Sequence, residues 1–288
     1  MIKRSVGIHD GVFHADEVTA CALLALFDLI DSHKIVRTRD PAKLQACEYI
    51  CDVGGRYDPV KKRFDHHQVE YTGPLSSAGM VLKYLIDKQI IESELYQFLN
   101  DHIIKGVDQE DTGEEVVPKG VCSFSEVISY FLPTEYNHTI EEEKEAFHNA
   151  FNFTIGHLTR MIARYRYNMA SKQIVQKEMQ KNEKLMVFDK AMPWLDSFFA
   201  MGGEGHPAEF IIMPSQSHWK LRGIPPNLDQ KMRVRHPLPE SWAGLHEDEL
   251  KEKSGIDGAI FCHKGRFISI WETKEDALKA YKLVMGES

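Results

Sequence analysis

The sequence predicts an α/β protein: a mainly parallel sheet flanked by helices, then a long helical connector, then a smaller α+β region. Three observations carry this expectation. Short apolar runs alternate with helical periodicities over the first hundred residues, the pattern of βαβ units. A long segment headed by Thr139 has no proline before Pro193 and a single interior glycine, Gly156. Beyond it, five further apolar runs precede one capped helix. The expected divisions are 1–135, 136–184 and 185–288.

In chain order, residues 5–9 read as a strand, after which Asp16 can cap a helix with Val18, Cys21, Ala22, Leu24, Ala25 and Leu29 on its apolar face. Residues 35–38 and 49–53 are β-like, the second closed by Gly54-Gly55, and residues 63–66 form a shorter extended piece. Ser76-Ser77 opens a helical pattern that residues 95–104 repeat. From Phe124 to about Lys184 the reading is helical, with Thr139 and Glu142 spaced as a capping box. Residues 184–188, 208–213, 219–224, 259–263 and 267–271 read as strands, and Thr273 caps a helix over 274–285. Phe198, Phe199 and Met201 read as core.

Composition narrows the function. At 288 residues, with 43% hydrophobic and 27% charged positions, the chain has the balance of an ordinary globular protein. No apolar run approaches the ~20 residues of a membrane helix, and the N-terminus has no signal-peptide core. Five scattered cysteines suit a reducing compartment, so a cytoplasmic location is expected. A net charge of −8 argues against a non-specific nucleic-acid coat protein. The charge is polarised, however: +5 over residues 158–184, +4 over 220–235, and acids concentrated at 110–115 and 141–145.

The informative residues are imidazoles and carboxylates that fall at the C-terminal ends of expected strands: His9, His14 and Asp16; Asp52; and Asp65-His66-His67. Asp108 follows in an acidic stretch read as a loop. Parallel α/β sheets collect ligands at that edge, so four such segments would build a polynuclear metal site. Taken singly, each has a bland reading: Asp16 as a helix cap, His66-His67 as surface residues, Asp108 as solvated charge. Their joint placement favours metal. Imidazole with carboxylate and no thiolate suits Mn²⁺, Fe²⁺, Co²⁺ or Zn²⁺ better than Mg²⁺. Asp52, between the other motifs, is the natural bridge between two ions about 3.5–4 Å apart.

These residues also carry a family resemblance. Asp65-His66-His67, the upstream His-rich motif and the isolated Asp52 and Asp108 resemble the DHH phosphoesterase superfamily. Within it, Gly11-Val12-Phe13-His14-Ala15-Asp16-Glu17, Arg37-Thr38-Arg39-Asp40-Pro41, Asp52-Val53-Gly54-Gly55, Arg63-Phe64-Asp65-His66-His67-Gln68, Leu75-Ser76-Ser77-Ala78-Gly79 and Leu238-Pro239-Glu240-Ser241-Trp242-Ala243-Gly244-Leu245 are similar to the melanocyte-proliferating-gene branch of metal-dependent hydrolases. The resemblance implies a two-lobed fold, a dinuclear Mn²⁺-type site (Mg²⁺, Co²⁺ or Zn²⁺ as substitutes) and phosphoester hydrolysis, with 3′-to-5′ exonuclease activity on RNA. It makes His9, His14, Asp16, Asp52, His66 and Asp108 the metal ligands. His67 would face the substrate phosphate, and Asp65 would orient the histidines. The first motif departs from the superfamily's usual pair of aspartates, its spacing being His-x4-His-x-Asp, which leaves both His9 and His14 as candidates for that position.

The C-terminal region should grip the rest of the substrate. Lys220 and Arg222 alternate with Leu221 along a strand and so share a face, suited to phosphate oxygens. His263 at a strand end is a further candidate. Arg160, Arg164 and Arg166 with Tyr165 and Tyr167 could guide a single strand by charge and stacking, or form a helix whose arginine stems cover apolar surface. The function expected is thus a metal-dependent phosphodiesterase acting on short single-stranded RNA or a nucleotide, without membrane partners and with a homodimer allowed. A pyrophosphatase or small-nucleotide phosphatase, and a non-catalytic RNA- or nucleotide-binding module, are the alternatives.

Overall fold

The computed structural model describes residues 1–114, 117–135 and 137–286; Glu115, the last acid of the run at 110–115, lies outside them. The chain divides into two compact units, Met1–Tyr165 and Arg166–Ser288.

The first unit is built on a five-stranded sheet in the order β2-β1-β3-β5-β4. Its strands are β1 (Ile2–Ile8), β2 (Ile35–Arg37), β3 (Cys47–Cys51), β4 (Tyr57–Asp58) and β5 (Arg63–Phe64). β2, β1, β3 and β5 run parallel, with Gly7 opposite Ile50 and Cys51 opposite Phe64, whereas β4 is an antiparallel edge strand that the sequence pattern does not announce. The parallel register sets the C-terminal ends of β1, β3 and β5 side by side, so whatever follows Ile8, Cys51 and Phe64 is delivered to one edge.

Helices α1 (Ala15–Leu26), α2 (Pro41–Ala46), α3 (Ser77–Asp87), α4 (Ser93–Leu99), α5 (Lys105–Asp111), α6 (Phe124–Ser129) and α7 (Ile140–Met179) surround this sheet in sequence. Strand residues Val6, Ile8, Tyr49, Cys51 and Phe64 share one buried core with Val18, Ala22 and Leu24 of α1 and Met80, Val81 and Leu85 of α3. Each Val, Ile, Leu, Met or Phe side chain among them contributes about 1.5–3 kcal/mol of transfer free energy. α1 is not capped by Asp16 as expected. His14 is the N-cap, and Asp16 lies inside the first turn, fully buried.

The reading of residues 95–104 as one helix is also corrected. A π-helical turn over Asn100–Ile104 joins α4 to α5, so the helix continues through Asp108 to Asp111 where a loop was expected. The helical reading from Phe124 is interrupted, because α6 ends at Ser129 and the 40-residue α7 begins at Ile140. The capping box that starts α7 is present: Thr139 N–H donates to Glu142 at 2.7 Å, and Glu142 N–H donates to Thr139 Oγ1 at 3.2 Å. Phe147, Phe151, Leu158 and Ile162 form a buried stripe along α7 within the first core, spaced as one helix face requires. The expected boundaries at 135 and 184 bracket α7; the division into units falls inside it, after Tyr165.

The second unit carries a sheet in the order β6-β7-β8-β10-β9, from β6 (Leu185–Val187), β7 (Phe210–Ser215), β8 (His218–Gly223), β9 (Ala259–Cys262) and β10 (Ile268–Trp271). β6 and β7 are parallel and the rest antiparallel. Helix α10 (Lys274–Met285), with Thr273 as its N-cap, shares a core with Phe210, Ile212, Leu221 and Trp271. Ile211 and Met213, on the opposite face of β7, pack with Phe188 and Phe198. Two short helices, α8 (Leu195–Ala200) and α9 (Glu247–Ser254), add to the expected elements. No described helix is long and apolar enough to cross a membrane.

Candidate metal centre

The shared strand edge of the first unit opens into a cleft of about 1020 Å³, lined among others by His9, His14, Asp52, His66, His67 and Asp111. His9 is the first residue beyond β1. Its Nε2 lies 3.0 Å from Glu17 Oε1 and 3.1 Å from Asp52 Oδ2. Glu17, fully buried in the first turn of α1, also accepts the His14 backbone N–H at 3.0 Å, so one carboxylate both starts the helix and fixes His9.

Asp52, the first residue beyond β3, has φ = +54°. Aspartate tolerates this left-handed conformation better than most residues, and such strain concentrates at functional sites. The residue is 4% exposed, and its carboxylate faces three imidazoles. Beyond the bond to His9, Oδ1 lies 3.4 Å from His67 Nδ1 and 3.6 Å from His66 Nε2. His66 Nε2 in turn lies 3.1 Å from Asp111 Oδ2.

Asp65 is saturated. One oxygen accepts the Gly55 N–H; the other accepts the His67 backbone N–H at 3.1 Å and faces His67 Nδ1 at 2.8 Å. Gly54 and Gly55, with φ of +97° and +61°, make the turn that aims this N–H. The Asp65 contact assigns the His67 proton to Nδ1, leaving Nε2 without a partner among the described residues.

Three groups of ligand-capable atoms, each within 4.8 Å of one another, therefore interlock: His9, His14, Glu17 and Asp52; Asp52, His66 and His67; and His14, Asp16 and Asp111. Asp52 belongs to two of these groups and His14 to two. Sequence reasoning missed Glu17 and Asp111. Glu17 is hidden beside Asp16 in a motif that reads as a helix cap. Asp111 lies one helical turn beyond Asp108, the residue the sequence singles out in its place.

The structure does not bring Asp108 into any of these groups. Its Oδ1 accepts Ser76 N–H at 3.0 Å, Ser76 Oγ at 2.7 Å and Gly79 N–H at 3.0 Å, so it caps α3 from a distance. A Cβ on Gly79 would meet Asp108 Oδ2 at 2.1 Å, which explains glycine there. Burial, opposed by the hydrogen bonds from Ser76 and Gly79, pushes the Asp108 carboxyl up to about 6.

The electrostatics are those of a site built for positive charge. Burial works against a charged His9, but hydrogen bonds to Asp52 and Glu17 outweigh it and push the imidazole up to about 10. The neighbouring carboxylates of Asp111 and Asp52 push His66 up to about 10 as well. Asp52 is held down at about 2, its burial outweighed by His66 and His9. Burial, then repulsion from Glu17 and Asp52, raises Asp16 well above the ordinary carboxyl range.

The fit to a cation shows in atoms left without partners. Among the described residues, both Asp16 oxygens, Asp52 Oδ1 and His66 Nε2 are buried without a well-formed hydrogen bond, His66 Nε2 only approaching Asp111 Oδ2 at 3.1 Å. Native proteins rarely leave such atoms unsatisfied; four at one edge, all from imidazole or carboxylate groups, fit a site for a metal cation.

Because imidazoles must be neutral to ligate, cation entry displaces their protons. With His9 and His66 at about 10 and the Asp16 carboxyl raised by burial, roughly two or more protons should leave per chain on Mn²⁺ binding at pH 7. Affinity should rise as pH climbs toward 10 and fall in acid. In the metal-free chain these raised values stabilise the fold fully below the ordinary histidine value of 6.5, an effect lost as pH rises through about 10. Calorimetry in buffers of different ionisation enthalpy counts the protons; a count near zero would contradict this electrostatic account.

The substrate-side candidates lie in the second unit. Lys220 and Arg222 share a face of β8, have no acidic partner among the described residues and are depressed by burial, Lys220 also by Arg222. His263 sits at the turn after β9, its Nδ1 accepting Gly265 N–H at 2.9 Å. Of the basic stretch on α7, Tyr165 packs on Phe98 with ring centres 4.8 Å apart and Tyr167 donates to the Ala191 carbonyl, while Arg160, Arg164 and Arg166 are exposed.

An α/β unit with imidazoles and carboxylates converging at the C-terminal edge of a parallel sheet, joined to a second α/β unit, defines a class of candidate metal-site proteins. More specifically, residues 5–285 match the family described as "Uncharacterised protein family (UPF0160)", and the chain belongs to it. It is 51% identical over 286 residues to a MYG1 protein of Chlamydia trachomatis serovar D, covering 99% of this chain and 98% of that one. It is 28% identical over 329 residues to the MYG1 exonuclease of Homo sapiens, covering 100% and 87%. A RecJ from Thermus thermophilus, solved in complex with Mn²⁺, is 12% identical with a TM-score of 0.27. This chain spans 52% of that RecJ, and a likeness at that level carries no argument.

Proposed function

We propose that this chain is a divalent-cation-dependent phosphodiesterase of the DHH type that removes nucleotides from the 3′ end of short single-stranded RNA. The observation that carries this reading is the convergence of imidazoles and carboxylates from the ends of β1, β3 and β5, the start of α1 and the end of α5, with the Asp16, Asp52 and His66 atoms among them left unsatisfied. The name of the human relative, MYG1 exonuclease, supports the same reaction class.

Asp52 would be the ligand held in common, with His9, His14, Asp16, Glu17, His66 and Asp111 completing the set. When bound, Mn²⁺ or a substitute such as Mg²⁺, Co²⁺ or Zn²⁺ supplies Lewis acidity toward phosphoryl oxygens and an acidified water. The chain's own residues do the rest. Asp65 holds His67 so that an Nε2–H can donate to a phosphate oxygen. Within the second unit, Lys220 and Arg222, cations without an acidic partner among the described residues, are the candidates for gripping phosphate, and His263 after β9 is a further one. The cleft of about 1020 Å³ is larger than pyrophosphate requires, which favours a polymer over a single small anion.

The test is a set of 5′- and 3′-labelled oligoribonucleotides, with pyrophosphate alongside, incubated with Mn²⁺, Mg²⁺, Co²⁺ or a chelator. A metal-dependent ladder receding from the 3′ end is the expected result. Pyrophosphate turnover far above that of RNA would replace this reading with a phosphatase. Binding of RNA without cleavage under any divalent ion would replace it with a binding module.

A further inference from the structure

A second cavity, of about 860 Å³, adjoins the metal cleft within the first unit, and the two share Arg39, Val53 and Gly54 in their walls. Its chemistry is the reverse of its neighbour's. The metal cleft is lined by five acids (Asp10, Asp52, Asp65, Glu110 and Asp111), whereas the second cavity is lined by five cations against the single acid Glu48. Three of the cations, Arg39, Arg56 and Lys61, have side chains 66%, 57% and 64% exposed. Their ion pairs are loose or solvent-facing: Arg39 with Asp10 at 3.3 Å, Arg56 with Asp58 at 2.8 Å, Lys61 with Asp58 at 4.0 Å. Pairs so exposed hold their side chains weakly. The floor is apolar, formed by Leu44, Ile50 and Val53, and Val60 stands 86% exposed at the lip.

An apolar floor under an exposed cationic rim suits a ligand that is flat and greasy on one side and anionic on the other. The volume falls in the range of small-molecule sites. Gly54 lies on the shared wall with φ of +97° and open space where a Cβ would stand, so the backbone there can approach a ligand closely. Arg39 belongs to the Arg37-Thr38-Arg39-Asp40-Pro41 motif, to which the metal chemistry gives no task. Asp40 and Pro41 start α2, Asp40 accepting the Ala42 N–H at 2.9 Å, which sets Arg39 at the boundary between the cavities.

We propose that this cavity is a nucleotide subsite. In it the base of a residue adjoining the scissile phosphodiester would lie on Leu44, Ile50 and Val53, while Arg39, Arg56 and Lys61 would take the backbone phosphate. The proposal rests on the phosphodiesterase reading and deepens it, since it makes the strand run along the sheet edge from acidic cleft to basic pocket.

The double variant R56Q/K61Q tests it, because both residues are exposed and neither touches the metal cluster. Two measurements are made on the full chain: binding of a fluorescent oligoribonucleotide without divalent ions, and Mn²⁺-dependent turnover of that oligonucleotide beside a p-nitrophenyl phosphodiester of a single nucleoside. The variant is expected to weaken oligonucleotide binding and raise its KM about tenfold, with kcat and turnover of the small ester within twofold. The salt dependence of log K should flatten by roughly 0.7 for each phosphate no longer neutralised. Unchanged binding and salt slope would overturn the subsite, as would an equal fall for both substrates. If the parent chain cleaves neither substrate, the phosphodiesterase reading fails, and the binding arm still decides whether the pocket holds a nucleotide strand.

Discussion

Asp52→Asn is expected to lower Mn²⁺-dependent phosphodiester hydrolysis by at least about 10³-fold, equivalent to ~4 kcal/mol of transition-state stabilisation. Asparagine is also at home at the φ of +54° found here, so the turn after β3 should survive and only the charge disappear. That charge faces His9 at 3.1 Å, His67 at 3.4 Å and His66 at 3.6 Å, and it belongs to two of the three ligand groups. On the proposed reading, its loss removes the ligand held in common by the cations. It also removes a cause of the raised His9 and His66 proton affinities, so those imidazoles should titrate lower. The fold should persist, because His9 still faces Glu17 at 3.0 Å and His66 still faces Asp111 at 3.1 Å, so neither imidazole becomes a buried, uncompensated charge. Retention of activity within tenfold of the parent would remove Asp52 from the centre of the site.

The second large effect is a contrast between two aspartates one helical turn apart. Asp111→Asn should abolish binding of at least one cation and reduce activity about 10²-fold or more, a loss of ~3 kcal/mol, with little change in thermal stability. Asp108→Ala should do the reverse. Without that carboxylate, the buried Ser76 and Gly79 N–H groups lose their acceptor, at a cost of about 1–3 kcal/mol. For a chain of this size that lowers Tm by roughly 2–4 °C per kcal/mol, with the cation stoichiometry unchanged. Paired calorimetric melts and Mn²⁺ titrations separate the two roles; an Asp108 variant that melts normally but binds fewer cations would restore the assignment made from sequence.

That contrast also marks how far the site is legible in advance. His9 and Asp52 follow directly on parallel strands and His66 comes two residues after another, and a strand's end is legible from its apolar run and the glycine or polar residues that close it. The alternation of strands and helices, the capping box at Thr139 and the Thr273 cap are legible for the same local reason. What fails is register within helices. Asp16 reads as a cap in isolation, but the chain's turn at His14 starts α1 earlier and makes Glu17 the carboxylate that meets both His9 and the His14 N–H. The π-helical turn over Asn100–Ile104 leaves no clear compositional mark, so the stretch after it reads as a loop. Which member of Asp108-Gln109-Glu110-Asp111 faces the cleft then depends on the packing of α5 against α3. The basic pocket beside the cleft is hidden for a related reason: its cations come from α2's approach, the loop after Asp52 and the β4–β5 hairpin, which only the folded sheet brings together.

The most direct test of the metal centre is anomalous diffraction from crystals of the unaltered chain grown or soaked with Mn²⁺. Two peaks are predicted on either side of the Asp52 carboxylate, bounded by His9, His14, Asp16, Glu17, His66 and Asp111, with Asp108 still turned toward Ser76. An absence of manganese at that strand edge, with these side chains ordered, would contradict the assignment.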